Sequence, residues 1–206
     1  DRRDTMVSRF TGMIAAVLVL AALLVTAPVA AATAKETVET QVNKVLKALS
    51  EPSFKDQPKE TKIVKIRSIV NEIFDYTELS KRTLGREWTK FNAPQQNEFV
   101  KLFSDLLEKT YADRLLSYSD EKVVFEKESL LREGQAEVTS NVLMADGKKI
   151  PLDYRLMQKD GNWRVYDVII EGISLVKNYR DQFRDILAKD SPEEVLKMLR
   201  DKVAKG

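Results

Sequence analysis

Carboxylates are the main side chains in this sequence that could carry out chemistry, because it contains neither histidine nor cysteine. These absences exclude Ser-His-Asp triads, thiolate catalysis, disulfides and metal sites built on His or Cys. A carboxylate-dependent hydrolase or isomerase would need two carboxyl groups converging in one pocket, where their pKa values separate. The candidates are Asp75, Asp153, Asp167 and Glu171. Helix capping and ion pairing explain each of them as well, so we predict that the protein is not an enzyme.

Cofactor and nucleic-acid motifs are missing as well. The seven glycines are scattered at turns, without a P-loop, a Gly-x-Ser-x-Gly elbow or a dinucleotide fingerprint. The 34 basic and 32 acidic side chains leave a formal net charge of only +2, unlike the basic excess of a typical nucleic-acid binder. We therefore expect no cofactor, no metal and no nucleic-acid partner.

One basic cluster has two interpretations. Four cationic side chains surround Trp88: Lys81, Arg82, Arg86 and Lys90. They could form a solvated helix surface, or the rim of a site for anionic headgroups. On the second interpretation, the candidates for headgroup contact are Arg86 and Arg180.

The N-terminal segment has the pattern of a secretory signal peptide. Arg9 precedes a continuous apolar run of twelve residues, Ile14 to Val25, which is shorter than the ~20 residues that span a bilayer. Small residues follow, with cleavage motifs that end at Ala32 or Ala34. We predict a signal peptide over residues 1–32 and one domain over 33–206, with an uncleaved membrane anchor as the alternative. Export without cysteine favours the bacterial periplasm.

Helices are predicted on both sides of a run of strands. Apolar residues recur every three or four positions over about 35–49, 59–74, 76–84 and a segment that begins near Asn92. The same spacing returns at Leu175 to Leu187, and Ser191 opens a last helix with a capping box. Segregated helices and strands predict an α+β fold.

The period changes to two between residues 121 and 170, which predicts an antiparallel meander of four or five strands. A two-residue turn at Asp160-Gly161 would pair Leu156 with Val165 and Leu152 with Ile169. That register places Asp153 and Asp167 on opposite faces of the sheet. At the preceding turn we predict a three-residue loop over residues 146–148, which pairs Val142 with Leu152 and keeps the apolar faces matched.

Two motifs resemble a known family. The first comprises Phe74-Asp75-Tyr76, Leu79, Leu84-Gly85 and Trp88. The second, more specific, is the run from Trp163 to Val168, followed by Glu171 to Val176, Asn178-Tyr179-Arg180 and Gln182-Phe183. Over about residues 35–200 the chain resembles the MlaC, or toluene-tolerance, family of periplasmic phospholipid-binding proteins.

The resemblance implies a carrier that shuttles phospholipid between an outer-membrane lipoprotein complex and an inner-membrane ABC transporter complex with its membrane-anchored lipid-binding subunit. It also implies a curved antiparallel sheet whose flanking helices enclose an apolar cavity for the acyl tails. The residues that we expect to line this cavity are Val70, Phe74, Leu79, Phe103, Leu107, Tyr111, Val142, Leu152, Tyr154, Tyr166, Val168, Leu175, Val176 and Tyr179. Carriage of another lipid, such as a hopanoid, and an interaction module with a filled core remain the alternatives.

Overall fold

The computed structural model describes residues 32–117 and 121–205. The predicted signal peptide, residues 1–32, lies outside these ranges apart from Ala32. None of the helices within them is both long and apolar enough to cross a lipid bilayer.

Within the described ranges, five α-helices precede the sheet and two follow it. The first group is α1 (Ala34–Ser50), α2 (Pro52–Lys55), α3 (Lys59–Asn71), α4 (Tyr76–Leu84) and α5 (Ala93–Leu116), with a 3₁₀ helix (Gly85–Lys90) between α4 and α5. The second group is α6 (Leu175–Leu187) and α7 (Pro192–Lys205). The short helix α2 and the 3₁₀ helix were not predicted from the sequence.

Side-chain caps begin α5 and α7 at Asn92 and Ser191, as the sequence predicts. The Asn92 side chain accepts the Gln95 N–H at 3.0 Å, and the Gln95 side chain accepts the Asn92 N–H, which completes a capping box at the start of α5. Helix α4 ends at Gly85, whose φ of 56° suits a residue without a Cβ.

Helix α3 ends at Asn71, earlier than the predicted end at Phe74. The chain turns there because Phe74 forms a parallel bridge with Val165 of the sheet. Asp75 N–H donates to the Val165 carbonyl at 2.9 Å, and Val165 N–H donates to the Ile73 carbonyl at 2.9 Å. Apolar periodicity could not reveal this bridge, since Phe74 faces the core in either conformation.

In the part of the chain that the structure describes, five strands form one antiparallel sheet in the order β1-β2-β3-β4-β5, which confirms the predicted α+β fold with a curved meander. The strands are β1 (Lys122–Arg132), β2 (Gln135–Leu143), β3 (Lys149–Lys159), β4 (Asn162–Ile170) and β5 (Ile173–Ser174). Register shifts in β1 and between β3 and β4 mark bulges, which bend a sheet and increase its twist.

The β2–β3 loop contains three residues, as predicted, but it begins one residue earlier. Met144 N–H donates to the Lys148 carbonyl at 2.8 Å, which leaves residues 145–147 as the loop. Val142 therefore pairs with Ile150 and not with Leu152. The shift of two positions along β3 keeps the same face inward, so matching apolar faces alone could not distinguish the two registers.

A bulge in β4 changes the other predicted register. The two-residue turn at Asp160-Gly161 and the Leu156–Val165 pair are confirmed. Arg155 then pairs with Asp167, so Tyr166 is the extra residue. From Arg155 to Leu152, each residue of β3 therefore pairs with a β4 residue one position later than predicted.

This shift corrects two predictions. Leu152 pairs with Ile170, so its predicted pairing with Ile169 is wrong. Asp153 pairs with Ile169, which places Asp153 and Asp167 on the same face of the sheet. The prediction that they lie on opposite faces is therefore wrong, because one inserted residue reverses the alternation.

The core has two large parts. A helical cluster joins α4 to α7 and the chain around them: Leu79, Leu84, Phe91, Phe99, Leu102, Phe103, Leu107, Val176, Phe183, Leu187, Val195, Leu196 and Leu199. A sheet cluster lies between α1 and strands β2 to β4: Ala34, Val38, Ile73, Ala136, Val138, Tyr154, Leu156, Val165, Val168 and Leu175. A smaller third cluster joins α1, α2 and α3: Ala48, Leu49, Phe54 and Ile66.

Candidate functional site

The helical cluster and the sheet cluster meet at two aromatic side chains. Phe74 and Tyr111 are each partly buried and pack against both clusters. Eleven of the fourteen predicted lining residues belong to these two clusters or pack against them: Phe74, Leu79, Phe103, Leu107, Tyr111, Leu152, Tyr154, Val168, Leu175, Val176 and Tyr179. Most of the predicted set therefore belongs to these two adjoining clusters, and we call the place where the clusters meet, at Phe74 and Tyr111, the aromatic junction.

Each element presents its residues through its own period. Phe103, Leu107 and Tyr111 are spaced by four on α5, which places them along one face of the helix. Leu152 and Tyr154 occupy alternate positions of β3, and Tyr154 pairs with Val168 across to β4. At the start of α6, Leu175 joins the sheet cluster while Val176 joins the helical cluster.

Aromatic contacts give the helical side of this site its geometry. Phe103 meets Tyr179 edge-to-face with ring centroids 5.0 Å apart, and meets Phe183 in the same way at 5.6 Å. Phe74 stacks on Tyr76 at 5.6 Å. Such pairs add about 0.5–1.5 kcal/mol each beyond the area that they bury.

Three phenols near this site resist ionisation because they are buried. Burial raises the pKa of Tyr154 and of Tyr111, and it raises the pKa of Tyr76 to about 12. The two clusters therefore combine apolar side chains with phenol groups that stay neutral. This composition suits hydrocarbon better than a charged substrate.

Three predicted lining residues lie elsewhere. Val70 packs against the third cluster, and Val142 is half-buried outside all three clusters. Tyr166 is buried at the β4 bulge, where the Arg82 guanidinium lies over its ring at 3.9 Å from the centroid. The sequence pattern places all three on apolar stripes, and only the tertiary structure separates them from the aromatic junction.

The candidate catalytic carboxylates occupy structural positions. Asp75 caps α4 by accepting the Glu78 N–H at 2.9 Å, and it pairs with Lys159 at 2.6 Å. Asp167 accepts from the Ser174 hydroxyl at 2.6 Å and from the Val176 N–H at 3.0 Å. These bonds use the carboxylates as caps and anchors of helices.

The other two candidates are also engaged. Asp153 accepts the Ser140 N–H at 3.1 Å, and the exposed Glu171 lies 4.0 Å from Lys148. Over residues 32–117 and 121–205, no group of three or more Asp or Glu side chains is arranged to hold a metal ion.

A concavity of about 300 Å³ lies where α4 and α6 meet β3 and β4. Arg82, Arg155, Lys177 and Arg180 line it together with Tyr166, and we call it the basic concavity. A second concavity, of about 370 Å³, follows the surface of α7 and combines lysines with carboxylates. Neither is lined by Phe74 or Tyr111, so an enclosed apolar cavity at the aromatic junction stays a prediction.

The two candidates for headgroup contact lie in different places in the structure. Arg180 lines the basic concavity, whereas Arg86 is exposed on the 3₁₀ helix and is not part of its lining. The basic cluster seen in the sequence also divides, because Arg82 enters the concavity while Lys90 pairs with Glu87 at 2.5 Å.

Sequence reasoning missed contributions from two regions. Ala34 and Val38 of α1 belong to the sheet cluster, although neither is among the predicted lining residues. Arg155 and Lys177 complete the basic concavity. No local pattern marks these two cations, because the β4 bulge and the start of α6 bring them together only in the folded chain.

Comparisons with known proteins agree on one family. The family model described as MlaC protein matches residues 39–201. The intermembrane phospholipid transport system binding protein MlaC of Haemophilus influenzae is 30% identical over 139 residues, which cover 64% of this chain. The toluene tolerance protein ttg2D of Pseudomonas putida is 26% identical over 126 residues, or 61% of this chain. The matched stretches span 65% and 59% of these two relatives.

A solved structure shares the fold. The phospholipid-binding protein from Ralstonia solanacearum, in complex with a phospholipid, superposes with a TM-score of 0.77 at 26% sequence identity. The match covers 84% of this chain and 98% of that one. With the family model matched over most of its described residues, the chain belongs to the MlaC family.

Proposed function

We propose that this protein is a periplasmic phospholipid carrier. It would move lipid between an outer-membrane lipoprotein complex and an inner-membrane ABC transporter complex, docking on the transporter's membrane-anchored lipid-binding subunit. The observation that carries the proposal is the pair of apolar clusters that adjoin at the aromatic junction, because eleven of the predicted lining residues belong to these clusters or pack against them. The phospholipid bound by the Ralstonia solanacearum protein of the same fold supports it further.

The physical demand on such a carrier is enclosure of the acyl tails. Each buried methylene is worth ~0.8 kcal/mol, so two chains with ~30 methylenes represent on the order of 24 kcal/mol. An exposed surface cannot supply that free energy. We place the tails between the helical and sheet clusters, because separation at Phe74 and Tyr111 would give them apolar walls on both sides.

This chemistry uses the residue types that the sequence contains. Holding hydrocarbon needs no histidine, thiol, metal or nucleotide, and the candidate carboxylates already serve as helix caps and ion-pair partners. Binding without a covalent step is therefore the proposed activity. The signal peptide predicted over residues 1–32 would deliver the domain to the periplasm.

The direct test is lipid extraction. The natively purified protein is extracted with organic solvent, and the extract is analysed by mass spectrometry against the protein concentration. We expect phospholipid in a stoichiometric amount. Folded protein without lipid would contradict the proposal and favour an interaction module with a filled core, and a hopanoid in the extract would change the cargo.

A pair of matched substitutions tests where the tails lie. Val168→Phe adds volume in the sheet cluster, whereas Val195→Phe adds the same volume at a buried position on α7. Overpacking costs about 1–3 kcal/mol in either place. We expect Val168→Phe to lose most of its lipid and Val195→Phe to retain it. Equal retention in both variants would place the tails elsewhere.

A further inference from the structure

The charge balance of the basic concavity is unequal. Arg155 is neutralised by Glu137 at 2.8 Å and by Asp167 at 3.5 Å. Arg82 pairs with Glu78 at 2.7 Å. Lys177 and Arg180 also line the concavity, and neither forms an ion pair with any carboxylate in the described chain. The four basic side chains and the three carboxylates that pair with them therefore leave a net charge of +1 at this recess of about 300 Å³, with Lys177 and Arg180 as its unpaired cations.

One of these two cations is held in place before any ligand arrives. The Arg180 guanidinium donates to the Arg82 carbonyl through Nε at 2.9 Å and through Nη2 at 2.6 Å. These bonds leave Nη1 available. Arg82 is itself fixed by its stacking on Tyr166. A preorganised cation loses little side-chain entropy when it binds an anion.

One carboxylate, Asp167, also lines the concavity, and the Arg155 guanidinium 3.5 Å away offsets its charge. Asp167 is 2% exposed, and its oxygens already accept from Ser174 and from the Val176 N–H. The Lys177 N–H is likewise occupied by the Ser174 hydroxyl at 3.0 Å. Ligand binding at the concavity would therefore depend on the side chains of Lys177 and Arg180 and not on the backbone N–H groups at the start of α6.

We propose that the basic concavity binds a phosphate group, with Lys177 and Arg180 as its charge partners. Guanidinium N–H groups and ammonium groups are the side-chain donors that most often hold phosphate oxygens, and Arg180 would use Nη1, because its Nε and Nη2 bond the Arg82 carbonyl. The phosphate could belong to a lipid headgroup or be free in solution. The lipid source rests on the proposed function, and Val176 supports it, because Val176 lines the concavity and also belongs to the helical cluster.

The first experiment titrates delipidated protein with inorganic phosphate and follows binding by NMR chemical shifts or calorimetry at low salt. Lys177→Gln is the main variant, because no described contact of the Lys177 side chain would be lost. Lys197→Gln is the matched control, since Lys197 lines the α7 concavity beside Glu194 and Asp201. We expect roughly tenfold weaker binding in Lys177→Gln, typical of the loss of a charged hydrogen bond, and no change in the control.

The second experiment asks whether the phosphate comes from lipid. Short-chain phosphatidylglycerol competes with diacylglycerol of the same chains for wild-type protein and for Lys177→Gln and Arg180→Gln. A wild-type preference for phosphatidylglycerol that both variants lose assigns the site to the headgroup. Phosphate binding with no such preference assigns it to free phosphate.

The two experiments separate failure of the phosphate site from failure of the lipid carrier. Phosphate and phosphatidylglycerol binding that are unchanged in both variants would overturn the phosphate site while leaving the carrier intact. Binding of neither lipid to wild-type protein would overturn the carrier, and the inorganic phosphate titration would still decide the site.

Discussion

Asp75 connects three parts of the molecule through one carboxyl group. It caps α4, its N–H bonds the β4 backbone, and its carboxylate meets Lys159 at 2.6 Å. Burial opposes ionisation of this carboxyl, but the hydrogen bonds from Lys159 and from the Glu78 N–H outweigh that effect and lower its pKa. Ionised Asp75 therefore stabilises the folded state.

The lowered pKa fixes the sign of a pH effect. The contribution of Asp75 is complete above the unfolded pKa of 3.8 and is lost as the pH falls through the lower native value. We expect Asp75→Asn, which keeps a capping oxygen, to lower the free energy of unfolding by about 1–2 kcal/mol at pH 7. The difference should shrink below pH 3.8 in urea titrations.

The exposed carboxylate Asp185 provides the control for this prediction. Asp185→Asn on α6 should change stability by less than about 0.5 kcal/mol at either pH. A deficit in Asp75→Asn that is as large at pH 3 as at pH 7 would mean that the carboxylate charge is not what stabilises the α4 junction.

Thr83 shows the opposite situation, because its hydroxyl group is buried without a hydrogen bond to compensate for the loss of water. It is 0% exposed, and its hydroxyl has no hydrogen-bond partner among the described residues. Because an unpaired buried hydroxyl carries an uncompensated desolvation cost, we expect Thr83→Val to raise the free energy of unfolding by up to about 1 kcal/mol. Thr110→Val, which removes a hydroxyl bonded to the Leu106 carbonyl at 2.7 Å, should not stabilise. Loss of stability in Thr83→Val would reveal a partner for that hydroxyl.

At the scale of elements, the β4–β5 turn contains a strained residue. Glu171 has a φ of 50° and Gly172 a φ of 82°, and Ile170 pairs with Ile173 across the turn. Positive φ at both central residues is typical of a two-residue hairpin turn that favours Asn-Gly. Glycine at the second position is suited to this turn, whereas glutamate at the first is not.

Replacing Glu171 with a residue that favours positive φ should therefore stabilise the folded protein. We expect Glu171→Asn to raise the free energy of unfolding by about 0.5–1 kcal/mol in chemical denaturation, because asparagine tolerates the left-handed conformation better. Asp160→Asn at the equivalent position of the β3–β4 turn, with φ 51°, should change little, since aspartate already tolerates it. A destabilised Glu171→Asn would show that the Lys148 contact outweighs the backbone strain.

The two hairpins also show what the sequence can and cannot predict. Asp160-Gly161 marks its turn by residue type, so the turn and the Leu156–Val165 pair follow from the sequence. The alternation from Trp163 to Ile169 continues through the bulge, so nothing local marks Tyr166 as the extra residue. The bulge instead depends on tertiary neighbours, among them the bridge from Phe74 to Val165.

The candidate site divides in the same way. Phe103, Leu107 and Tyr111 could be predicted because one helix spaces them by four, and their membership of one cluster or its rim follows from that spacing. The meeting of the two clusters at Phe74 and Tyr111 could not be predicted, because it depends on how distant elements cross. Periodicity identifies a buried face and does not identify its partner.

For the whole molecule, the proposed function predicts a change in thermal stability on loading. A ligand that binds only the folded state stabilises it by about 2.7 kcal/mol at a hundredfold excess over Kd. For a chain of this size that corresponds to an increase in Tm of about 5–10 °C. Calorimetry of delipidated and reloaded protein measures this increase in Tm. Val168→Phe is the control, and its Tm should not change when lipid is added. An equal Tm in both wild-type samples would contradict binding in the core.

Strand β1 forms one end of the sheet, and its outer edge pairs with no other strand in the described chain. A straight, regular edge is a template on which further copies can add strand by strand into fibrils. The two register breaks in β1 interrupt that template, and Lys122, Lys127 and Arg132 add charge to it. Both features oppose edge-to-edge association when molecules are crowded together, so we expect changes that straighten β1 to promote aggregation.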